Sequence, residues 1–141
     1  MSVNKFNHEG YLDPTVYEAM TSIERDLKSG YCGPFVYICS PFKGDVKTNI
    51  QNARRYSRFA VDRGVIPLAP HLLFPQFMDD SDPAERQKAL SMGLALLAKC
   101  RELWCFGPYI SYGMSLELEK AKWKGIIIRR FFENCVEAKH D

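Results

Sequence analysis

The sequence predicts an α/β domain built on a doubly wound parallel sheet of four to five strands, with flanking helices and an extra N-terminal helix. Short apolar runs rich in β-forming residues alternate along the chain with segments that carry apolar residues at helical spacing, which favours this class. A chain of 141 residues is long enough for one such domain with a buried core. We expect residues 1–33 to be an N-terminal helical extension, residues 34–132 to be the α/β domain, and residues 133–141 to be a C-terminal tail.

The N-terminal helix is predicted from its end signals and its apolar face. Asp13 is a suitable N-cap, Pro14 suits the first helical position, and Gly30 is a suitable stop. The apolar residues at helical spacing are Val16, Met20, Ile23 and Leu27.

Four apolar runs bounded by proline, glycine or polar residues are predicted to be buried strands. They cover residues 35–40, 65–70, 102–107 and 126–132. Pro67 has no backbone N–H to donate, so the second run suits a strand end or an edge strand better than a central one. Because helical segments separate the runs, the strands should be parallel, as in Rossmann-like and flavodoxin-like sheets.

Three helices are predicted between the strands from their capping residues. Their N-caps are Asp45, Asp82 and Ser111, and the helices end near Arg63, Cys100 and Gly125. Residues 71–82 are predicted to be an irregular loop, longer than a minimal connection, and long ordered loops are often functional. Ligands of parallel sheets bind at the carboxyl ends of the strands. The segments 40–45, 69–82 and 107–117 should therefore meet there.

Composition and charge exclude several classes of function. The net charge is +2 with acids and bases interleaved, which argues against a nucleic-acid partner, and no apolar run is long enough for a membrane span. The residues before the first predicted helix contain no apolar signal-peptide core. The five cysteines form no CxxC pair and the three histidines lack metal-ligand spacing. We therefore expect a cytoplasmic protein that uses neither a metal nor a cofactor.

The loop after the first predicted strand could hold an anion. It contains Ser40, Phe42, Lys43 and Gly44, just before the start of a helix. Free N–H groups at a helix start favour negative charge. An ordinary turn is the alternative interpretation, because the phosphate-loop spacing is absent.

The loop after the second predicted strand could form one side of a pocket for a flat heterocycle. His71, Asp79 and Asp80 lie here beside Phe74 and Phe77. The alternatives are aromatic residues of a minor core, a histidine bonded to backbone, and solvated turn aspartates.

The stretch "SYGMSLELEKA" suggests a helix start that faces a ligand. Ser111 is the N-cap, and Gly113 costs about 1 kcal/mol relative to alanine unless something must approach the backbone. Glu117 lies one turn further along the same stripe, bordering the buried side. Alternatively, Glu117 is a surface residue that pairs with Lys120.

"VYICSPFKGD", "IPLAPHLLFP" and "ISYGMSLELEKA", in this order and spacing, resemble the nucleoside 2-deoxyribosyltransferase superfamily over about residues 35–131. The similarity is greatest to small phage and bacterial members and to the 2'-deoxynucleoside 5'-phosphate N-hydrolases. The resemblance implies that Glu117 is a nucleophile that attacks the anomeric carbon. Ser111 stands where the transferases have an aspartate and the nucleotide hydrolases have a serine that binds the 5'-phosphate. A further family aspartate matches Ser91, which cannot act as a carboxylic acid.

These observations predict an N-glycosidase that cleaves a nucleoside 5'-monophosphate or a nucleoside. Glu117 would be the nucleophile, ionised near its helix N-terminus, and Asp80 would deliver the proton to the leaving base. Ser40, Phe42, Lys43, Gly44, His71, Ser111 and Gly113 would bind the substrate. The alternatives are base exchange by a deoxyribosyltransferase and nucleotide binding without turnover. The resemblance also implies a homodimer or a higher homo-oligomer.

Overall fold

The computed structural model describes residues 14–28 and 33–139. Residues 14–28 belong to one compact unit and residues 34–139 to another. The first unit contains helix α1, Pro14–Lys28, which agrees with the predicted N-terminal helix. Its predicted cap Asp13 and stop Gly30 lie outside the described residues.

The second unit is built on a four-stranded parallel sheet, which confirms the predicted fold class. The strands are β1 (Phe35–Cys39), β2 (Ile66–Leu68), β3 (Glu102–Phe106) and β4 (Ile127–Phe131), in the order β2-β1-β3-β4. The two central strands, β1 and β3, are almost entirely buried. Pro67 lies on the edge strand β2, which has a neighbouring strand on one side only. A proline, which lacks a backbone N–H, is tolerated at such an edge.

Helices α2 (Val46–Asp62), α4 (Pro83–Leu97) and α5 (Tyr112–Trp123) connect the strands. All three predicted N-caps are confirmed, because the side chains of Asp45, Asp82 and Ser111 accept hydrogen bonds from the N–H groups of Thr48, Ala84 and Met114. None of the helices within the described residues is both long and apolar enough to cross a membrane.

The loop at residues 71–82 is more regular than predicted. A short helix, α3 (Pro70–Leu73), is followed by a 3-10 turn at Phe74–Gln76. Pro70 occupies the first helical position, where its fixed φ favours helix and its missing N–H has no partner to lose. The apolar spacing in this short segment was too brief to indicate a helix.

Alternating strand residues separate two cores on the two faces of the sheet. Val36 and Ile38 of β1 pack with Tyr56 of α2 on one face. Tyr37 and Cys39 pack on the other face with residues of α4 and α5, including Leu97, Met114 and Ala121. Tyr37 and Cys39 therefore lie beneath the helix that carries Glu117.

Residues after β4 fold back along that strand. Phe131 forms an antiparallel bridge with Glu137. The Arg129 guanidinium donates two hydrogen bonds of 2.7 Å to the carboxylate of Glu137. Phe131 is the last residue of β4, so the chain turns back at the carboxyl end of that edge strand.

Candidate active site

A cavity of about 420 Å³ lies at the carboxyl ends of the strands. It is lined by the residues that follow β1, by α3 and the turn after it, and by α4 and the start of α5. All but one of the predicted site residues border it: Ser40, Phe42, Lys43, His71, Asp80, Ser111, Gly113 and Glu117. Gly44 does not line the cavity. The chemical roles assigned to these residues remain predictions.

Glu117 lies in the wall of the cavity. It is half-buried in the second turn of α5. Burial raises its pKa to about 8, against the opposite effect of hydrogen bonding by the Cys39 thiol and the Tyr37 hydroxyl. Burial therefore outweighs the expected effect of the helix start, whose dipole fades within the first turn.

Ser40 and His71 form a polar pair in the wall of the cavity. Ser40 is buried, and its Oγ lies 2.9 Å from Nε2 of His71. Burial lowers the pKa of His71 to about 4, so the imidazole is neutral at physiological pH. A neutral ring offers one N–H donor and one nitrogen acceptor. This pair can therefore orient a polar substrate without adding charge.

The start of α5 presents hydrogen-bond donors to the cavity. Ser111 Oγ accepts from Met114 N at 3.3 Å, and the hydroxyl keeps its own O–H to donate. A Cβ added at Gly113 would meet no atom within 4 Å, so the glycine borders open space. This end of the cavity therefore has room for a group that accepts several hydrogen bonds.

Asparagine at the start of α2 fixes the shape of the loop after β1. Asn49 Nδ2 donates to the carbonyl oxygens of Phe42 and Lys43 at 3.0 and 2.9 Å. Lys43 is exposed and Phe42 half-buried at the rim of the cavity. Gly44 has a φ of +96°, a backbone conformation that favours glycine. The turn therefore explains this glycine, which does not line the cavity.

The two neighbouring aspartates of the second loop differ in their availability. Asp79 Oδ1 accepts from Ser81 Oγ at 2.6 Å and from Ser81 N at 2.9 Å. These two hydrogen bonds lower the pKa of Asp79, which therefore stays ionised as a turn residue. Asp80 also borders the cavity and is half-buried, which leaves it the better candidate for proton transfer.

The cavity is also bordered by Tyr37, Arg86 and Gln87, which the sequence did not indicate as site residues. Arg86 lies one helical turn before Leu90, which also lines the cavity, so that helical spacing could have identified it. Tyr37 alternates with Cys39 on β1, but nothing in a short apolar run shows that its hydroxyl meets a glutamate 80 residues later. Ser91, matched above to a family aspartate, is exposed and does not line the cavity.

Two solved structures with the same fold are 2-deoxyribosyltransferases. The enzyme from the psychrotolerant bacterium Bacillus psychrosaccharolyticus aligns with a TM-score of 0.59 and 13% identity, covering 76% of this chain and 85% of its own. The enzyme from Leishmania mexicana aligns with a TM-score of 0.52 and 15% identity, covering 70% of this chain and 63% of its own, less than two thirds of its length. Identities this low establish a common fold and leave the activity open.

A search of the curated proteins found no match to this chain. The family comparison covers residues 34–131, which include all four strands and every residue of the cavity wall. On that match, the chain belongs to the family described as domain of unknown function DUF7768.

Proposed function

We propose that the protein is an N-glycosidase that cleaves the bond between base and sugar in a nucleoside 5'-monophosphate. The observation that carries this proposal is the position of Glu117. It borders a cavity of about 420 Å³, which is large enough for a small ligand. The fold shared with two 2-deoxyribosyltransferases supports a reaction at the anomeric carbon of a nucleoside.

In the proposed reaction the ionised carboxylate of Glu117 attacks the anomeric carbon. The bond from that carbon to the base nitrogen breaks, and the base leaves with the proton that Asp80 donates. The resulting glycosyl ester on Glu117 is then hydrolysed by water, which Asp80, now ionised, deprotonates. Two displacements of this kind retain the configuration at the anomeric carbon, as in retaining glycoside hydrolysis.

The 5'-phosphate is assigned to the start of α5. Ser111 is neutral, and its O–H and the first free N–H groups of the helix can donate to phosphate oxygens. Lys43 and Arg86 border the same cavity and supply positive charge. The base would lie towards Phe42 and Phe74, whose rings border the cavity, with Ser40 and His71 to hydrogen-bond its edge.

Nucleotide binding without turnover is a second candidate, and the raised pKa of Glu117 favours it. A carboxyl group with a pKa of about 8 is mostly protonated at neutral pH, and a protonated carboxyl group is a poor nucleophile. Ser91 stands where the resembling family has an aspartate, and it is exposed and does not line the cavity. No acid therefore reaches the cavity from that position. Base exchange remains a third candidate, supported by the transferases that share the fold.

One assay separates these candidates. The protein is incubated with ribo- and deoxynucleosides and their 5'-monophosphates, with and without a second free base, and the products are separated by chromatography. We expect free base from a monophosphate, and no free base with Glu117→Gln. A new nucleoside in the presence of the second base would indicate transfer. Binding in calorimetry without any product would overturn the proposed hydrolysis and support the binding protein.

We also propose that the chain forms at least a homodimer. Several large side chains of the second unit are exposed, among them Tyr109, Tyr112 and Trp123, at 67, 75 and 82%. A second copy could cover some of this apolar surface. Light scattering at micromolar concentration should give a mass of at least twice 16.2 kDa, and a monomeric mass would contradict the proposal.

A further inference from the structure

The wall of the cavity carries more acidic than basic side chains, although the whole chain has a net charge of +2. Among the described residues, four carboxyl groups and two cationic side chains line the cavity. The acids are Asp79, Asp80, Glu85 and Glu117, and the bases are Lys43 and Arg86. The ion pairs found within residues 14–28 and 33–139 involve none of these six side chains. Their charges are therefore available to a ligand.

The two signs of charge differ in their exposure. Both cationic side chains are exposed, whereas three of the four acids are half-buried: Asp80, Glu85 and Glu117. His71, which also lines the cavity, is neutral because burial lowers its pKa to about 4. The exposed rim can therefore bind an anion, and the half-buried part of the wall offers acids without a cationic partner.

Aromatic rings line the same cavity. Tyr37 and Phe42 come from β1 and the loop after it, Phe74 from the turn after α3, and Tyr112 from the start of α5. The face of an aromatic ring attracts a cation, and a flat cation can stack on such a ring. Rings beside half-buried acids therefore suit a flat heterocycle that carries a positive charge.

We propose that the nucleotide bound in this cavity has a positively charged base, which is a pyridinium or an N-alkylated purine. This inference rests on the proposed function and names the class of its substrate. The anionic phosphate lies at the exposed rim with Lys43 and Arg86, and the cationic ring lies among the aromatic rings and the half-buried acids. Each end of the ligand then meets the opposite charge.

A cationic base supplies what Glu117 needs to act as a nucleophile. Burial raises the pKa of its carboxyl group to about 8, so that the group is mostly protonated at neutral pH. A positive charge bound in the same cavity favours the carboxylate over the neutral acid. Binding of the substrate therefore promotes ionisation of Glu117, which a neutral base does not.

A cationic base also leaves without a proton from the protein. The Glu117 carboxylate attacks the anomeric carbon as the bond from that carbon to the ring nitrogen breaks. The electron pair of the broken bond neutralises the ring. Water then attacks the anomeric carbon of the glycosyl ester, Glu117 leaves as a carboxylate, and Asp80 accepts the proton of the water. Asp80 is therefore needed only in the second displacement.

The binding test compares nucleotides that differ in the charge of the ring and little in its shape. Nicotinamide mononucleotide has a cationic pyridinium ring, and its reduced form has a neutral one. The 5'-monophosphates of 7-methylguanosine and guanosine form the purine pair. Carbocyclic analogues, in which a methylene replaces the oxygen of the sugar ring, prevent cleavage during calorimetric titration of the full chain. We expect at least one cationic ligand to bind about tenfold more tightly than its neutral counterpart, and the two pairs together identify the ring.

Two substitutions assign this preference to side chains of the cavity. Glu117→Gln and Phe74→Leu should each reduce the tenfold difference to about threefold or less, because they remove a carboxylate and an aromatic ring. Glu119→Gln is the matched control, since Glu119 lies on the same helix, is exposed and pairs with Lys122 at 3.5 Å. It should keep the full preference. A reduction in either cavity variant supports the assignment, and a preference that persists in both overturns it.

Asp80→Asn tests the reaction on nucleotides with the natural sugar, by chromatography of the base released in the first turnover. Release from the cationic nucleotide should stay within about threefold of the wild type, while release from a neutral monophosphate should fall at least about a hundredfold. A loss of similar size for the cationic nucleotide would contradict the departure of its base without a proton.

The binding experiment overturns the inference if affinity is equal within both pairs, if the neutral ligands bind more tightly, or if neither cationic ligand binds. Preferential binding of a cationic ligand without release of any base would refute the proposed function alone. Release of base from neutral monophosphates, by a protein that shows no preference for the cationic ligands, would refute this inference alone.

Discussion

The Oγ of Ser40 lies 2.9 Å from Nε2 of His71, and this contact joins the end of β1 to the short helix after β2. The two strands are neighbours in the sheet, so their carboxyl ends bring the side chains together. Burial, rather than a neighbouring charge, lowers the pKa of His71 to about 4. The folded protein therefore requires a neutral imidazole at this point.

His71 should weaken the fold in acid. Its pKa is about 6.5 in the unfolded chain and about 4 in the folded one, so its contribution is fully present above pH 6.5 and is lost as the pH falls through 4. The loss amounts to roughly 3 kcal/mol at most. Urea unfolding of the wild type and of His71→Gln between pH 4 and pH 7 should show a shallower pH dependence for the variant.

Ser40→Ala is the matched control for this experiment. It removes the partner of His71 but not the burial, so the pH dependence of the wild type should persist. If the free energy of unfolding depends on pH equally in the wild type and in His71→Gln, protonation of the imidazole does not destabilise the fold, and the prediction is contradicted.

Glu117 should make both activity and stability depend on pH. With a pKa of about 8 it is roughly one-tenth ionised at pH 7, so base release should increase with pH and level off above 8. Its contribution to stability has the opposite sign from that of His71. It is fully present below pH 4.5, where both states are protonated, and is lost as the pH rises through 8, because only the unfolded chain ionises freely in between.

Glu117→Gln cannot ionise, so its stability relative to the wild type should rise between pH 5 and pH 8. The measurement is urea unfolding at several pH values, beside the pH–rate profile of the wild type. A Glu117 that ionises near pH 4.5 would give neither effect.

The fold could be predicted from the sequence because local signals agreed with the global topology. The end signals of the helices and the alternation of element types define a parallel sheet, and Pro67 even indicates its edge. The helix after Ala69 differs from the predicted irregular loop, because one helical turn has too few residues to display a period.

The candidate site was less predictable, because its properties depend on contacts between distant residues. Topology alone places Ser40, His71 and Glu117 at one edge of the sheet. The pKa of Glu117 depends instead on burial and on the side chains of Tyr37 and Cys39, which no spacing along the chain reveals. Ser91 shows the same limit, since a match by sequence distance does not determine which face of α4 it occupies.

Ser111 should determine whether a phosphate is accepted. Serine, aspartate and asparagine are all good N-caps, so Ser111→Asp and Ser111→Asn should preserve the helix. The aspartate adds a negative charge beside the proposed phosphate site. We expect Ser111→Asp to weaken monophosphate binding at least about tenfold, which corresponds to ~1.4 kcal/mol, while nucleoside binding changes little.

Ser111→Asn is the neutral control and should bind monophosphates far better than the aspartate variant does. Calorimetric titration with one nucleoside and its monophosphate measures the discrimination. Equal losses for the charged and the neutral ligand would place the phosphate elsewhere in the cavity.

Gly93 of α4 should control the position of the Tyr37 hydroxyl. A Cβ at residue 93 would lie 3.2 Å from Tyr37 Oη, closer than an ordinary contact, and hydrogen bonding by this hydroxyl acts to lower the pKa of Glu117. Gly93→Ala should therefore push the hydroxyl away by a few tenths of an ångström and raise the pKa of Glu117 further. Alanine favours a helix interior by about 1 kcal/mol, which offsets the cost of the contact and leaves overall stability little changed.

Tyr37→Phe removes the same hydrogen bond without crowding and should raise the pKa of Glu117 in the same direction. Gly113→Ala, where an added Cβ meets no atom within 4 Å, should leave that pKa unchanged while narrowing the cavity. A carbon-13 NMR titration of the glutamate side-chain carboxyls, with Glu117→Gln to assign the signal, measures the pKa of Glu117 in all three variants, and urea unfolding measures their stability. If Gly93→Ala lowers stability by several kcal/mol but leaves the pKa of Glu117 at about 8, the glycine serves helix packing and does not act through Tyr37.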